Sequence, residues 1–312
     1  MAVPCSITPR ISTAHSFSLL PQSSGYLLRK HFATPDAESF LEIFLHEKAS
    51  QASHGVAQFH GQILASGQLS MDLEWCPDGD LQTVLEARVR DSADREQVFS
   101  AKWLIGLTLQ MLETMSALHT TRIAHRQIIL RHWVLAGDTV KLIDFSCAKP
   151  IETSKTVAAH TFRNSRDYTS PQSMESVKLQ EVAENDPFKE DIWALGKVIY
   201  ELATGRAYRY LNSMPQEILA QEVHFHFQSR GYLQLERAIL SMLAWNQAER
   251  CTAAQALSLL QDDLRTSEKP SLPALLPNEE ATTEDPRYRC PSCHTHFHTQ
   301  QGPVCAKCAK SS

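Results

Sequence analysis

Strand-like runs come first along this chain and helix-like periods come last, and that order restricts the fold more than any other feature. Tyr26-Leu-Leu-Arg-Lys30 reads as a short strand. Leu69 to Trp75 reads as another, closed by the turn residues Pro77-Asp-Gly-Asp80. Short strands follow at Val134–Leu135 and Val140–Ile143. Between them, Phe40, Leu41, Phe44 and Leu45 recur at helical spacing, and Leu104, Leu107, Met111 and Met115 line one face from Trp103 to Leu118. From Ile192 to Leu264 the pattern is helical throughout, broken at Gly205, Pro215 and Gly231. Strands gathered early and helices gathered late predict an α+β plan in two lobes, a small β-rich N-lobe and a helical C-lobe.

The ends of the chain differ in composition. Residues 1–24 are rich in Ser, Thr and Pro without a period, and are expected to be a flexible N-terminal segment. The two-lobed domain is placed at 25–265. Residues 266–287 hold Pro270, Pro273, Pro277 and Pro286 with the acidic Glu279, Glu280, Glu284 and Asp285, the composition of a solvated linker. Residues 288–312 carry Cys290-Pro-Ser-Cys293 and, eleven residues later, Cys305-Ala-Lys-Cys308. Two C-x-x-C pairs bring four thiolates to one tetrahedral point, which Zn²⁺ accepts. The spacing resembles small zinc ribbons. Four ligands close such a site, so the expected zinc is structural, and it supplies the folding energy of a module with almost no core. His294, His296 and His298 are read as spare polar side chains, with His294 an alternative ligand.

A net charge of −5 argues against broad nucleic-acid binding. The tail's Arg287, Arg289, Lys307 and Lys310 keep a nucleic-acid role open without favouring it, since the only aromatics there are Tyr288 and Phe297. No run reaches the length of about 18 apolar residues that a membrane span needs. No block near Met1 has the length of a signal peptide, and Arg10 alone is too little for a transit peptide. Paired cysteines without a secretory signal point to a reducing compartment, the cytoplasm or nucleus.

Chemistry-bearing segments lie in a telling order. Leu69 to Leu81 is a strand with a turn. His125-Arg126-Gln127 follows the long helix that ends near His119. Lys141-Leu-Ile-Asp-Phe-Ser146 is next, then Tyr168-Thr-Ser-Pro-Gln172, Asp191-Ile-Trp-Ala-Leu-Gly196 and Asn246-Gln-Ala-Glu-Arg250. Together they resemble the protein kinase superfamily over residues 25–265. The resemblance implies a hinge with Leu73 as gatekeeper and Glu74, Trp75 and Cys76 offering backbone groups to an adenine. It makes His125-Arg126 the catalytic loop, Asp144-Phe145 the metal-binding turn and Gln172 the last residue of the A-P-E segment. Asp191 starts the central helix, and Arg250 is the partner of the A-P-E position. Lys30 takes the place of the phosphate-pairing strand lysine, with Glu42 or Glu47 as its helix partner; a solvated surface lysine is the plain alternative. Leu28 then shares a face with Lys30 and stands where the family usually has alanine against the adenine. Asp144 is either a magnesium ligand or a structural acceptor. His125 and Phe145 are expected to pack between the lobes, Asp191 to hold the catalytic loop, and Arg126 to hold the activation segment. Thr153, Ser154, Thr156, Thr161 and Ser165 there are candidate phosphorylation sites, or simply an ordinary polar loop.

The departures decide the functional expectation. Gln127 stands in place of the catalytic aspartate, and an amide has no useful basicity near neutral pH. A positioned base contributes roughly 10²- to 10⁴-fold. Ile129 replaces the cation that steadies the transferring phosphoryl group. His132 replaces the asparagine ligand of a second magnesium, an ion that prefers oxygen. Gln172 replaces a glutamate, reducing its link with Arg250 to a hydrogen bond. No G-x-G-x-x-G loop exists, since Gly25 is the only glycine before Gly55. The chain is expected to be a pseudokinase that binds protein partners as a scaffold, with ATP and Mg²⁺ in doubt. The alternatives are a weak atypical Ser/Thr kinase using Asp144 and Lys30, and a zinc-dependent nucleic-acid adaptor.

Overall fold

The structure is a computed structural model and describes residues 15–23, 25–91, 98–151, 166–179, 185–205 and 213–267. The zinc-type cysteines and the activation-segment Thr153, Ser154, Thr156, Thr161 and Ser165 lie outside these residues.

Four antiparallel strands form the N-terminal sheet: β1 (His15–Gln22), β2 (Gly25–Phe32), β3 (Phe59–Ala65) and β4 (Gln68–Glu74), in the order β1-β2-β4-β3. Between β2 and β3 runs α1 (Ala37–Ala52), capped by Asp36, whose carboxylate accepts from Ser39 N–H at 2.9 Å. Phe32, Ile43, Leu69, Met71 and Leu73 fill the space between helix and sheet. Their alternation along β4 is the half-buried pattern expected of a sheet covered on one face.

The second lobe is helical: α2 (Leu81–Asp91), α3 (Ala101–Thr120), α4 (Pro171–Leu179), α5 (Pro187–Thr204), α6 (Gln216–Ser229), α7 (Leu233–Met242) and α8 (Ala253–Ser267). Short pairs β5 (Ile123–Ala124) with β8 (Lys149–Pro150), and β6 (Trp133–Ala136) with β7 (Thr139–Leu142), carry the loops that matter below. The helix α5 is the axis of this lobe, with almost every side chain buried. Asp186 caps it, Pro187 opens it, and Gly205 at φ +67° ends it in the left-handed conformation that glycine adopts without cost. Trp133, Trp193 and Tyr200 are the largest side chains of the main core. No helix among the described residues is long and apolar enough to cross a membrane.

Two strands of the N-terminal sheet escape the sequence reading, as do the two-residue β5 and β8. Residues 1–24 are read there as a flexible segment, yet His15–Gln22 pairs along the whole of β2 as β1. Its side chains lie mostly at the surface, so no hydrophobic alternation marks it; backbone pairing builds the strand, and Pro21 is tolerated because β1 is an edge. The mostly exposed β3 is silent for the same reason. At the other end α8 runs to Ser267, past the boundary placed at 265.

Candidate functional site

Strand alternation along β2 buries Lys30 against α1. Its ammonium donates to Glu42 Oε1 at 2.6 Å and lies 3.7 Å from Asp144 Oδ1. Glu42, not Glu47, is therefore the partner, and the surface-lysine alternative falls away. One positive and two negative groups share this enclosed space. Burial pushes the Glu42 carboxyl above its ordinary value against the pull of Lys30.

Asp144 sits just past β7 at φ +64°, a left-handed conformation that a non-glycine residue holds only when its surroundings fix it. Ser146 N–H donates to its Oδ1 at 3.2 Å. Burial works against the charged form, but Lys30, His132 and Ser146 more than offset it, and the carboxyl stays well below the usual carboxylate range. Next to it Phe145 points inward, 4.9 Å from the ring of His46 on α1 and 4.9 Å from that of His125. Burial lowers both imidazoles to about 4. Their hydrogen bonds fix the neutral tautomers: His46 Nε2–H donates to the Ala57 carbonyl at 2.7 Å, and His125 Nε2–H donates to that of Ile143 at 3.1 Å. Three rings in edge-to-face contact thus join α1 to the loop after β5.

Asp191, fully buried at the start of α5, holds that loop. Its carboxylate accepts from the backbone N–H groups of His125 at 2.8 Å and Arg126 at 2.7 Å, and from His119 Nε2 at 3.1 Å. Arg126 is buried with φ +66°. The peptide carbonyl of Gln127 accepts the Nδ1–H of His132 at 2.9 Å, and the Nε2 of His132 lies 3.4 Å from Asp144 Oδ2. Ile129 is partly buried and packs on the main core. Asp191 ties the loop to α5, and at positions 127 and 129 the loop carries an amide and an aliphatic side chain.

Toward the hinge, Leu73 is buried and faces Leu28 across the strand pair. Glu74 is occupied: its carboxylate is 3.2 Å from Lys141 Nζ and accepts from Gln58 N–H at 3.0 Å. The Cys76 thiol is pushed up to about 12, chiefly by burial, and is not a nucleophile at neutral pH.

Arg250 is enclosed beneath the loop. Its Nη2 donates to Gln172 Oε1 at 2.9 Å, its Nη1 to the Lys189 carbonyl at 3.0 Å, and its guanidinium lies 5.0 Å over the Trp193 ring. Glu190 at 3.4 Å supplies the negative charge that Gln172 does not. Sequence reasoning missed Glu190, His46 and a further buried group: Tyr168 donates to Glu201 Oε2 at 2.6 Å while Lys197, 4.6 Å over the Tyr168 ring, pairs with Glu201 and donates to the Asp167 carbonyl. The available signal is a lysine and a glutamate four residues apart within the otherwise apolar run from Ile192 to Ala203.

A family model, the protein kinase domain, matches residues 28–260. Among curated proteins the chain is 28% identical over 207 residues to human serine/threonine-protein kinase Nek5, covering 65% of this chain and 27% of that protein. It is 26% identical over 246 residues to mouse serine/threonine-protein kinase Nek9, covering 74% and 23%. Human mitogen-activated protein kinase kinase kinase 5 is 29% identical over 199 residues, covering 58% and 13%. The chain thus spans 27% or less of the length of these relatives.

Proposed function

This chain belongs to the protein kinase domain family, and on that premise we propose that it is a member with an assembled nucleotide-side cleft and an impaired transfer site, acting on protein partners by binding. The observation that carries this reading is the pair of residues at the reacting end of the loop. Gln127 takes the position of the base and Ile129 the position of the cation, on a loop that Asp191 holds in place. An amide does not accept the hydroxyl proton, and an isoleucine gives no electrostatic stabilisation to the phosphoryl group. The loss is one of chemistry, with the framework intact.

Nucleotide and a divalent ion are the groups the family implies. Lys30 and Asp144 fit them: one is a buried ammonium oriented by Glu42, the other a carboxylate held ionised in its turn. When bound, the ion would neutralise phosphate charge; the chain's own residues position it and exclude water. His132 does not fit a second Mg²⁺, which prefers oxygen ligands. Protein partners are the expected ligands of such a module, in the cytoplasm or nucleus. Structural zinc in the tail rests on the spacing of Cys290, Cys293, Cys305 and Cys308 alone, and metal analysis of the purified chain tests it: one zinc per chain supports the site, and none removes it.

The Lys30–Glu42 pair beside Asp144 favours a second reading, a weak atypical Ser/Thr kinase. Transfer of γ-phosphate to a peptide separates the two. The first reading predicts none above the level of a Lys30→Ala control; transfer abolished by Asp144→Asn supports the second.

A further inference from the structure

Strand alternation gives the N-terminal sheet a face opposite the one that carries the buried Lys30 and Phe32. On that face Ser18 of β1, Arg29 of β2 and Asp72 of β4 stand in one cross-strand row, and Ser16, His31 and Ser70 in the next. Arg29 donates to Asp72 from Nε at 2.6 Å and from Nη2 at 2.7 Å, and its Nη1 donates to no described group. The Arg29 side chain is 24% exposed, within reach of an incoming group. The ring of His31 lies between two hydroxyls: Nε2 is 3.0 Å from Ser18 Oγ, and Nδ1 is 3.0 Å from Ser70 Oγ. A hydroxyl and not a carboxylate meets Nδ1, so the Ser18–His31 pair lacks the orienting group of a hydrolytic nucleophile. The row offers instead a half-buried hydroxyl beside a guanidinium and an imidazole, on an edge strand of the described sheet.

We propose that Ser18 is a phosphorylation site whose phosphate is received by Arg29 and His31. ATP held by a separate Ser/Thr kinase is the donor. Ser18 Oγ forms the new bond to the γ-phosphorus, the bond to the β,γ-bridging oxygen breaks, ADP leaves, and the hydroxyl proton passes to that kinase's base. The ester carries a charge of about −1.5 to −2 near neutral pH, and its three outer oxygens are strong acceptors. Arg29 Nη1 supplies one charge-assisted hydrogen bond. His31 supplies another through Nε2–H, and Ser70 matches that tautomer because its hydroxyl donates to Nδ1. Asp72 keeps Nε and Nη2, so Arg29 bridges two anions and ties β1, β2 and β4 along one row. Ser16 stands opposite His31 and not opposite an arginine, so a phosphate there meets one cation fewer.

The test compares the full chain carrying phosphoserine encoded at position 18 with the unmodified chain. Phosphorus NMR is expected to show the ester titrating below the value of about 6 that a solvated phosphoserine has. The melting midpoint is expected to rise by about 2–4 °C. Both effects are lost in Arg29→Gln. The double variant Arg29→Gln, Asp72→Asn leaves no stranded carboxylate and takes the place of the single variant if that one does not fold. An ordinary phosphate titration, or a midpoint that falls, overturns the receiving site. Phosphopeptide mapping of the full chain expressed in eukaryotic cells with phosphatase inhibitors present tests the modification itself. Phosphate on Ser18 supports it; phosphate on Ser16 alone, or on neither serine, overturns it.

Discussion

Lys30 and Glu42 form an ion pair of 2.6 Å in which both side chains are only 4% exposed. The pair joins β2 to α1, and Asp144 stands 3.7 Å from the same ammonium.

Breaking the pair from one side leaves a buried charge uncompensated. Lys30→Met is expected to cost about 3–5 kcal/mol of unfolding free energy. The double variant Lys30→Met, Glu42→Leu is expected to recover a large part of that, because well-packed apolar groups replace a buried ion pair at little cost. Urea denaturation of the three variants reads this directly. A double variant less stable than the single one would contradict it.

Two histidines give the fold a defined acid limit. His46 and His125 are lowered to about 4, whereas an unfolded histidine titrates near 6.5. Between those values the unfolded chain binds more protons than the folded one. Their contribution is complete above about pH 6.5 and is lost as the pH falls toward 4. His132, lowered by burial, acts in the same sense; Glu42, raised by burial, opposes it above its unfolded value. Stability measured from pH 7 to 4.5 is expected to fall more steeply in the unaltered chain than in His46→Leu. Equal slopes would mean that His46 is not buried neutral.

Much of this was legible in the sequence. The order of elements and the positions of Asp144, His125, Asp191 and Arg250 follow from local motifs, because each motif has to bring its polar group to a fixed turn. β1 and β3 were not legible, since strands exposed on their side chains carry no hydrophobic alternation. Nor was Glu42 separable from Glu47, because helical spacing alone does not say which face of α1 meets β2. The role of Glu190 depends on Arg250, 60 residues away in the chain, a distance that motif reading does not bridge.

Arg250 is expected to matter more than the glutamine it meets. Arg250→Leu leaves the enclosed Glu190 carboxylate without its ion pair and is expected to cost about 3–5 kcal/mol. Gln172→Ala removes one hydrogen bond and is expected to cost about 1 kcal/mol. Chemical denaturation distinguishes the two, and similar losses would mean that Glu190 plays no part.

Gly55 permits a close approach between the turn that follows α1 and Thr114 on α3. A Cβ there would stand 1.8 Å from Thr114 Oγ1, closer than any contact allows. Gly55→Ala is expected to destabilise by about 1–3 kcal/mol. Thr114→Ala in the same chain is expected to cancel most of that loss, and a purely additive double variant would contradict the contact.

The central claim is that this cleft is built and does not transfer phosphate, and the most direct test is transfer of label from γ-labelled ATP to a generic Ser/Thr peptide by the purified full chain, with Mg²⁺ and with Mn²⁺. The account predicts incorporation no greater than that of Lys30→Ala and Asp144→Asn prepared in parallel. Incorporation that exceeds both controls, and survives further purification, would contradict it.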